Sequence, residues 1–172
     1  NSVRPLNEAQ PDSSGRPHRA AGLTPPQNRQ PAPPHAIDQP RAIHIYTDGA
    51  CSGNPGPAGI GVVLQYGPHR KEISRSIGTA TNNIAELEAV RVGLLAVKNR
   101  ALPVVIHTDS QYVLGVLARG WKAEQNQGLV DEIRNLSRQF GSLQFVKVKG
   151  HAGHPENERA DQLAVRAVRQ SG

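Results

Sequence analysis

An α/β fold, a mixed five-stranded sheet flanked by helices, is predicted by three features of this chain. These are short β-branched runs of strand length, apolar residues recurring at helical spacing, and the order in which the two kinds of segment follow one another after residue 40. The order reads β-β-β-α-β-α-α-β-α. Three strands joined by tight turns give an antiparallel meander, and strands separated by helices pair in parallel, so the sheet should hold three antiparallel strands and then two parallel ones.

Strands are expected at Ile43 to Thr47, Gly59 to Tyr66 and Lys71 to Gly78, with GNPGP turning the chain between the first two and YGPH between the next two. TNNIAELEAVRVGLLAVKNR reads as a helix capped by Asn82 or Asn83, because Leu87, Val90, Leu94 and Val97 recur on one face and Pro103 follows its end. VVIHT is the fourth strand and LQFVKVK the fifth, with SQYVLGVLARG and LVDEIRNLSRQF as helices between them. Pro155 opens the last helix, where its fixed φ and missing N–H do no harm.

Residues 1–40 read differently. They carry nine of the fourteen prolines and no apolar periodicity, which indicates a Pro-rich, disordered or polyproline-like linker or tail, with residues 41–172 as the folded domain. Such a segment suits a tether to another domain, or a ligand for a partner domain. The chain has no Met and begins at Asn1, so it reads as trimmed or processed.

The formal charge of +6 and pI near 10.0 favour a polyanionic partner, while aromatic residues at 3% argue against a surface that grips single strands by stacking many bases. One cysteine, Cys51, permits no internal disulfide and no Cys-based zinc site, and a reducing, cytoplasmic setting is expected. No apolar run is long enough to span a membrane, and nothing suggests more than a monomer.

Four carboxylates stand in unusual places. Asp48 ends the first strand in IYTDG and Asp109 the fourth in IHTDS; if those strands are parallel neighbours, both acids emerge at the same carboxyl edge, where open α/β sheets place ligands. Taken singly, a turn residue accounts for Asp48 and a helix cap for Asp109. Glu86 precedes Val90, Gly93 and Val97 by four, seven and eleven residues and so shares their core-facing side, unless it closes a capping box with Asn83. Asp161 flanks a stripe formed by Ala160, Leu163, Ala164 and Ala167, where an ordinary surface acid would also fit. Gathered at one edge, four acids repel one another unless cations sit among them, and an oxygen-only set suits Mg²⁺ or Mn²⁺. Two such ions form the usual clamp for attack on a phosphodiester.

YTDGACSGNPGPAG, TNNIAELEA, TDSQYV and VKGHAGHPENERADQLA resemble, in order and spacing, the signatures of type 1 ribonuclease H, the metal-dependent endonuclease that cuts RNA paired to DNA. The resemblance runs from about Arg41 to Arg169 and implies a ribonuclease H-like fold. It implies that Asp48, Glu86, Asp109 and Asp161 bind two Mg²⁺ ions, for which Mn²⁺ substitutes, and that His151 assists proton transfer or product departure. It further implies that Asn83, Gln111 and the backbone from Gly49 to Ser52 contact the RNA strand, that Asn54, Thr81 and Asn82 contact the strands' backbones, and that cleavage leaves 5′-phosphate and 3′-hydroxyl ends without sequence preference. His151 and His154 then form no zinc pair, and His154 marks the entrance of the last helix.

Two departures from the family pattern stand out. Ile84 replaces an Arg found in some members beside the DNA-phosphate pocket, and ARGWKAEQNQG stands where other members carry a basic protrusion. Trp121 in that short stretch is expected to pack beneath its loop. A duplex-binding module without catalysis, and a nuclease for double-stranded RNA or DNA, are the competing readings.

Overall fold

The computed structural model describes residues 41–149 and 153–171; the Pro-rich segment and residues 150–152, with His151, lie outside the described residues. Its elements follow in the expected order: β1 (Ile43–Cys51), β2 (Gly56–Tyr66), β3 (His69–Ala80), α1 (Asn82–Leu95), β4 (Val104–Thr108), α2 (Gln111–Ala118), α3 (Gln127–Ser137), β5 (Leu143–Lys147) and α4 (Pro155–Arg169). The sheet order is β3-β2-β1-β4-β5. β1, β2 and β3 pair antiparallel, while β4 joins β1 in parallel and β5 joins β4 in parallel.

The meander strands outrun their expected ends. Gly49 and Gly53 read as turn signals, yet ladder bonds need only backbone, and β1 keeps pairing from Asp48 opposite Gly61 to Cys51 opposite Ala58. β3 likewise extends to Ala80, opposite Gly56, past an irregularity at Ala58/Gly59. α1 stops at Leu95, short of the expected Arg100. Its cap is Thr81, whose hydroxyl accepts from the Ile84 N–H at 3.3 Å, and not Asn82 or Asn83. Asn82 is instead the first helical residue, and its N–H is taken by the Asn54 side chain at 3.0 Å. α3 starts at Gln127, because Asn126 in the left-handed region (φ 59°) turns the chain into it.

The main core lies on one face of the sheet. Ile45, Ile60, Val62, Val104 and Ile106 meet Leu87, Val90 and Leu94 of α1 there, together with Val113 and Val116 of α2 and Val130 and Ile133 of α3. α4 covers the opposite face, where Ala160 and Leu163 pack on Val63 and Tyr46. Ser74 Oγ donates to the Leu163 carbonyl at 2.7 Å, Arg159 pairs with Glu72 at 2.7 Å and Arg70 with Glu156, so β3 grips α4 along its length.

Glycines let both helices come unusually close to the strands. A Cβ at Gly61 would stand 1.9 Å from the Ala160 carbonyl oxygen, and one at Gly59 2.6 Å from the Ala167 methyl. On the other face a Cβ at Gly49 would stand 2.5 Å from the Glu86 nitrogen. Trp121 uses the same device: its ring lies flat on Gly115, leaving it 48% exposed, so it is packed on one side only. Arg134 fastens this loop by donating to the carbonyls of Val116 at 2.8 Å and Trp121 at 3.0 Å.

Gly61→Ala forces backbone apart at the α4 contact and should lower unfolding free energy by about 2–3 kcal/mol in urea titration. Gly128→Ala in α3, where the new methyl meets nothing within 4 Å, should be neutral or stabilising by up to about 1 kcal/mol. Equal effects would remove the close-approach explanation.

Candidate metal centre

The local explanations for three of the acids fail one by one. Asp48 lies within β1 and belongs to no turn. Asp109 does not cap α2, because Ser110 does, its Oγ accepting from the Val113 N–H at 3.1 Å. Glu86 closes no capping box, because with Thr81 as cap it stands a full turn inside α1 on the buried side.

The geometry brings them together. Asp48, Glu86 and Asp109 each offer a carboxylate oxygen within 4.8 Å of the others. Asp48 is 9% exposed and Glu86 7%, while Asp109 and Asp161 are half-buried. Asp161 projects from α4 beside Asp48, close enough to share a hydrogen bond once one of them carries a proton. The Glu86 Oε2 atom is fully buried and has no hydrogen-bond partner among the described residues.

This arrangement is electrostatically unfavourable on its own. Burial, then the charge of Glu86, a hydrogen bond with Asp161 and the charges of Asp109 and Asp161 push Asp48 up to about 9. Burial and the charges of Asp109 and Asp161 push Glu86 up to about 8, against the lowering influence of Asp48 and of the Gly49 backbone as hydrogen-bond partners. Crowded carboxylates with one orphaned oxygen fit a hard divalent cation, which would supply the missing partner and offset the repulsion. Among the described residues the donor set has no nitrogen or sulfur, which separates it from a zinc site.

The remaining expected positions form a rim around this centre. Ser52 and Asn54 lie exposed in the turn between β1 and β2, and Asn54 ties that turn to the start of α1. Asn82 and Asn83 are exposed on the first turn of α1, with Thr81 half-buried beneath them. Gln111 is the exposed first residue of α2, and Gly49 is half-buried between Asp48 and α1. Neither α1 nor α2 carries an acid in its first turn, so both N-terminal dipole ends are left open to an anion. His151 falls outside the described residues.

One buried residue went unread in the sequence. Asn157, one turn before Asp161 on α4, is 6% exposed, and its Oδ1 has no partner among the described residues. Its spacing of three from Ala160, on the stripe already assigned to the core, was the available signal.

The raised acids set a sign for pH dependence. Folded Asp48 and Glu86 bind protons more tightly than in the unfolded chain, so their stabilising contribution is complete near pH 4 and is lost as pH rises through about 8 to 9. His107, held down to about 4 by burial and the charges of His44 and His154, acts in the opposite sense only below its unfolded value near 6.5. In EDTA the melting temperature should therefore fall between pH 7 and 9, and Mg²⁺ or Mn²⁺ should flatten that fall. Glu86→Gln should raise the EDTA midpoint at pH 8 by about 4 °C, the size expected for about 1 kcal/mol, and weaken the response to metal. A midpoint unchanged by both pH and metal would contradict this electrostatic description.

Comparison with known proteins agrees with this geometry. The sequence profile of the family described as RNase H matches residues 40–169. The ribonuclease H of Desulforamulus reducens is 47% identical over 144 residues, covering 76% of this chain and 89% of that protein. That of Saccharopolyspora erythraea is 50% identical over 137 residues, covering 72% and 88%. Among solved structures, the RNase H1 of Halobacterium salinarum superposes with TM-score 0.64 at 34% identity, covering 75% of this chain and 98% of that one. LC11-RNase H1 in complex with an RNA/DNA hybrid superposes with TM-score 0.66 at 31% identity, again covering 75% and 98%. With a fold, an acid cluster and a family profile that coincide over residues 40–169, this chain belongs to the ribonuclease H family of enzymes.

Proposed function

We propose that residues 41–172 form a catalytic domain that hydrolyses the RNA strand of RNA/DNA hybrids with two Mg²⁺ ions, leaving 5′-phosphate and 3′-hydroxyl ends. The observation that carries this reading is the burial of Asp48 and Glu86 beside Asp109, with Glu86 Oε2 lacking any partner among the described residues. A structural role does not explain that choice, since apolar or amide residues would be stabler there.

In this reading Asp48, Asp161, Glu86 and Asp109 would hold the ions, Asp48 serving both, Asp161 the one that would activate water, and Glu86 and Asp109 the one that would stabilise the leaving oxygen. When bound, such a pair activates the attacking water and stabilises the leaving oxygen. Glu86 would also accept from a ribose 2′-hydroxyl, which would distinguish RNA from DNA at the scissile strand. His151, in the segment outside the described residues, assists proton transfer or product departure.

The rim supplies recognition. Asn83, Gln111 and the backbone from Gly49 to Ser52 contact the RNA across the minor groove, and Asn54, Thr81 and Asn82 contact phosphodiester backbones. The uncompensated N-termini of α1 and α2 support phosphate binding beside the acids. Recognition through backbones and the minor groove is in keeping with cleavage that ignores sequence.

Ile84 packs against the buried cluster of Ala58, Ala80 and Ala85, so an apolar spot occupies the place where an Arg would offer a phosphate contact. Arg119, Lys122 and the exposed side of Trp121 are what remains of a basic platform. No helix among the described residues is long and apolar enough to cross a membrane. A cytoplasmic monomer, with residues 1–40 as a tether that raises the effective concentration of a linked or partner domain on the hybrid, completes the proposal.

Cleavage of end-labelled hybrid, double-stranded RNA, double-stranded DNA and single strands in Mg²⁺, Mn²⁺ or EDTA tests the proposal. Cuts should be confined to the RNA of the hybrid, require metal, and fall at least about 100-fold in Asp109→Asn, which still binds hybrid. Binding without cutting under every condition would favour the duplex-binding module, and equal cutting of double-stranded RNA would assign another substrate. The logarithm of affinity for hybrid should fall with the logarithm of salt more gently than in a protrusion-bearing relative, by about 0.7 to 0.9 in slope per lost phosphate contact. An equally steep slope would show that the missing protrusion is replaced.

A further inference from the structure

A second group of potential ligands lies on the α4 side of the sheet, away from the acids in chemistry though close in sequence. His44 in β1 and His107 in β4 are 63 residues apart, yet the Nδ1 of His44 stands 2.9 Å from the Nε2 of His107. Both are half-buried and reachable from solvent. The His107 ring is held by Tyr46, stacked on it at 4.4 Å between centroids and 9° between planes, while the His44 ring lies 5.2 Å from it. His154, at the start of α4, is near enough for its charge to be felt at His107.

The separation of the two nitrogens has chemical meaning. Imidazole nitrogens bind transition metals at about 2.0–2.1 Å, so two in adjacent positions of a square-planar or octahedral shell stand about 2.9 Å apart, against about 3.3 Å in a tetrahedral one. A parallel strand pair with a stacked tyrosine holds the second ring against large rotation, which lowers the entropy lost on binding. We propose that His44 and His107 form a two-imidazole site for a divalent transition-metal ion, Cu²⁺ or Ni²⁺ in preference to Zn²⁺, distinct from the carboxylate centre.

In the metal-free protein one ring donates its N–H to the other. Binding requires both facing nitrogens to present lone pairs, so the donor's proton moves to its other ring nitrogen through solvent, and His44, whose ring is not the one stacked on Tyr46, turns slightly to aim at the ion. Water fills the remaining positions of the shell. The two sites sort cations by ligand type: the all-oxygen acids take Mg²⁺ and Mn²⁺, and the nitrogen pair takes softer ions that Mg²⁺ does not displace.

The test is Cu²⁺ binding to the whole chain at pH 7.5 in excess Mg²⁺, read by competition against a chromogenic chelator and by the nitrogen hyperfine pattern in EPR. The wild-type chain should bind one Cu²⁺ with two imidazole nitrogens, His44→Gln and His107→Gln should each bind at least tenfold more weakly, and Asp109→Asn should bind like wild type. The other five of the seven histidines are common to all these chains and supply the same background. Equal affinity in His44→Gln and wild type, or loss of the tight site in Asp109→Asn, would overturn the proposal. If either histidine variant fails to fold, a chain that keeps His44 and His107 and carries Gln at the other five histidine positions decides: two nitrogen donors uphold the pair, and an oxygen-only shell rejects it.

Discussion

The approach of two helices onto glycine in the sheet is the constraint on which the rest of this structure depends. Gly61 is opposite Asp48 in the β1–β2 ladder, and the backbone of α4 at Ala160 rests where its side chain would be. The next residue of α4 is Asp161. On the other face Gly49, the neighbour of Asp48, receives the backbone of α1 at Ala85 and Glu86. Two missing methyl groups thus bring two helices, one from each face, to the same acid in the same strand. Asp109 needs no such device, because the parallel pairing of β1 with β4 carries it to the same edge.

What this constraint assembles is unfavourable unless something else joins it. Burial and mutual repulsion raise Asp48 and Glu86, and a buried Glu86 oxygen has no partner among the described residues. The surrounding core is conventional and tightly filled, with Ile45, Leu87, Val90 and Ile106 fully buried around it. The scaffold can therefore hold the acids in place while the site itself remains strained, as expected where function competes with stability. A cation that relieves the repulsion stabilises the folded state and prepares the site in the same event.

Much of this was legible in the sequence. The strand and helix order follows from periodicity and turns, and the acids stand out because Glu86 breaks an apolar helix face and Asp48 and Asp109 repeat one strand-end pattern. The parts that were not legible share a physical cause: they depend on partners distant in the chain. Thr81, Asn82 and Asn83 are all good caps, and the choice of Thr81 reflects Asn54 holding the Asn82 N–H from another turn. The extensions of β1 and β3 rest on backbone pairing that glycines do not advertise. The burial of Asn157 and the meeting of His44 with His107 emerge only once α4 and β4 are placed.

Anomalous diffraction from crystals of the Asp109→Asn chain with hybrid and Mn²⁺, beside the wild-type chain with Mn²⁺ alone, tests the central claim most directly. The account predicts manganese within bonding distance of Asp48 and Glu86 in the wild type, and with hybrid a second peak about 4 Å away on the Asp161 side of Asp48. Manganese elsewhere, with Asp48 and Glu86 protonated and hydrogen-bonded to each other at every occupancy, would show that the buried acids serve the fold and not a metal.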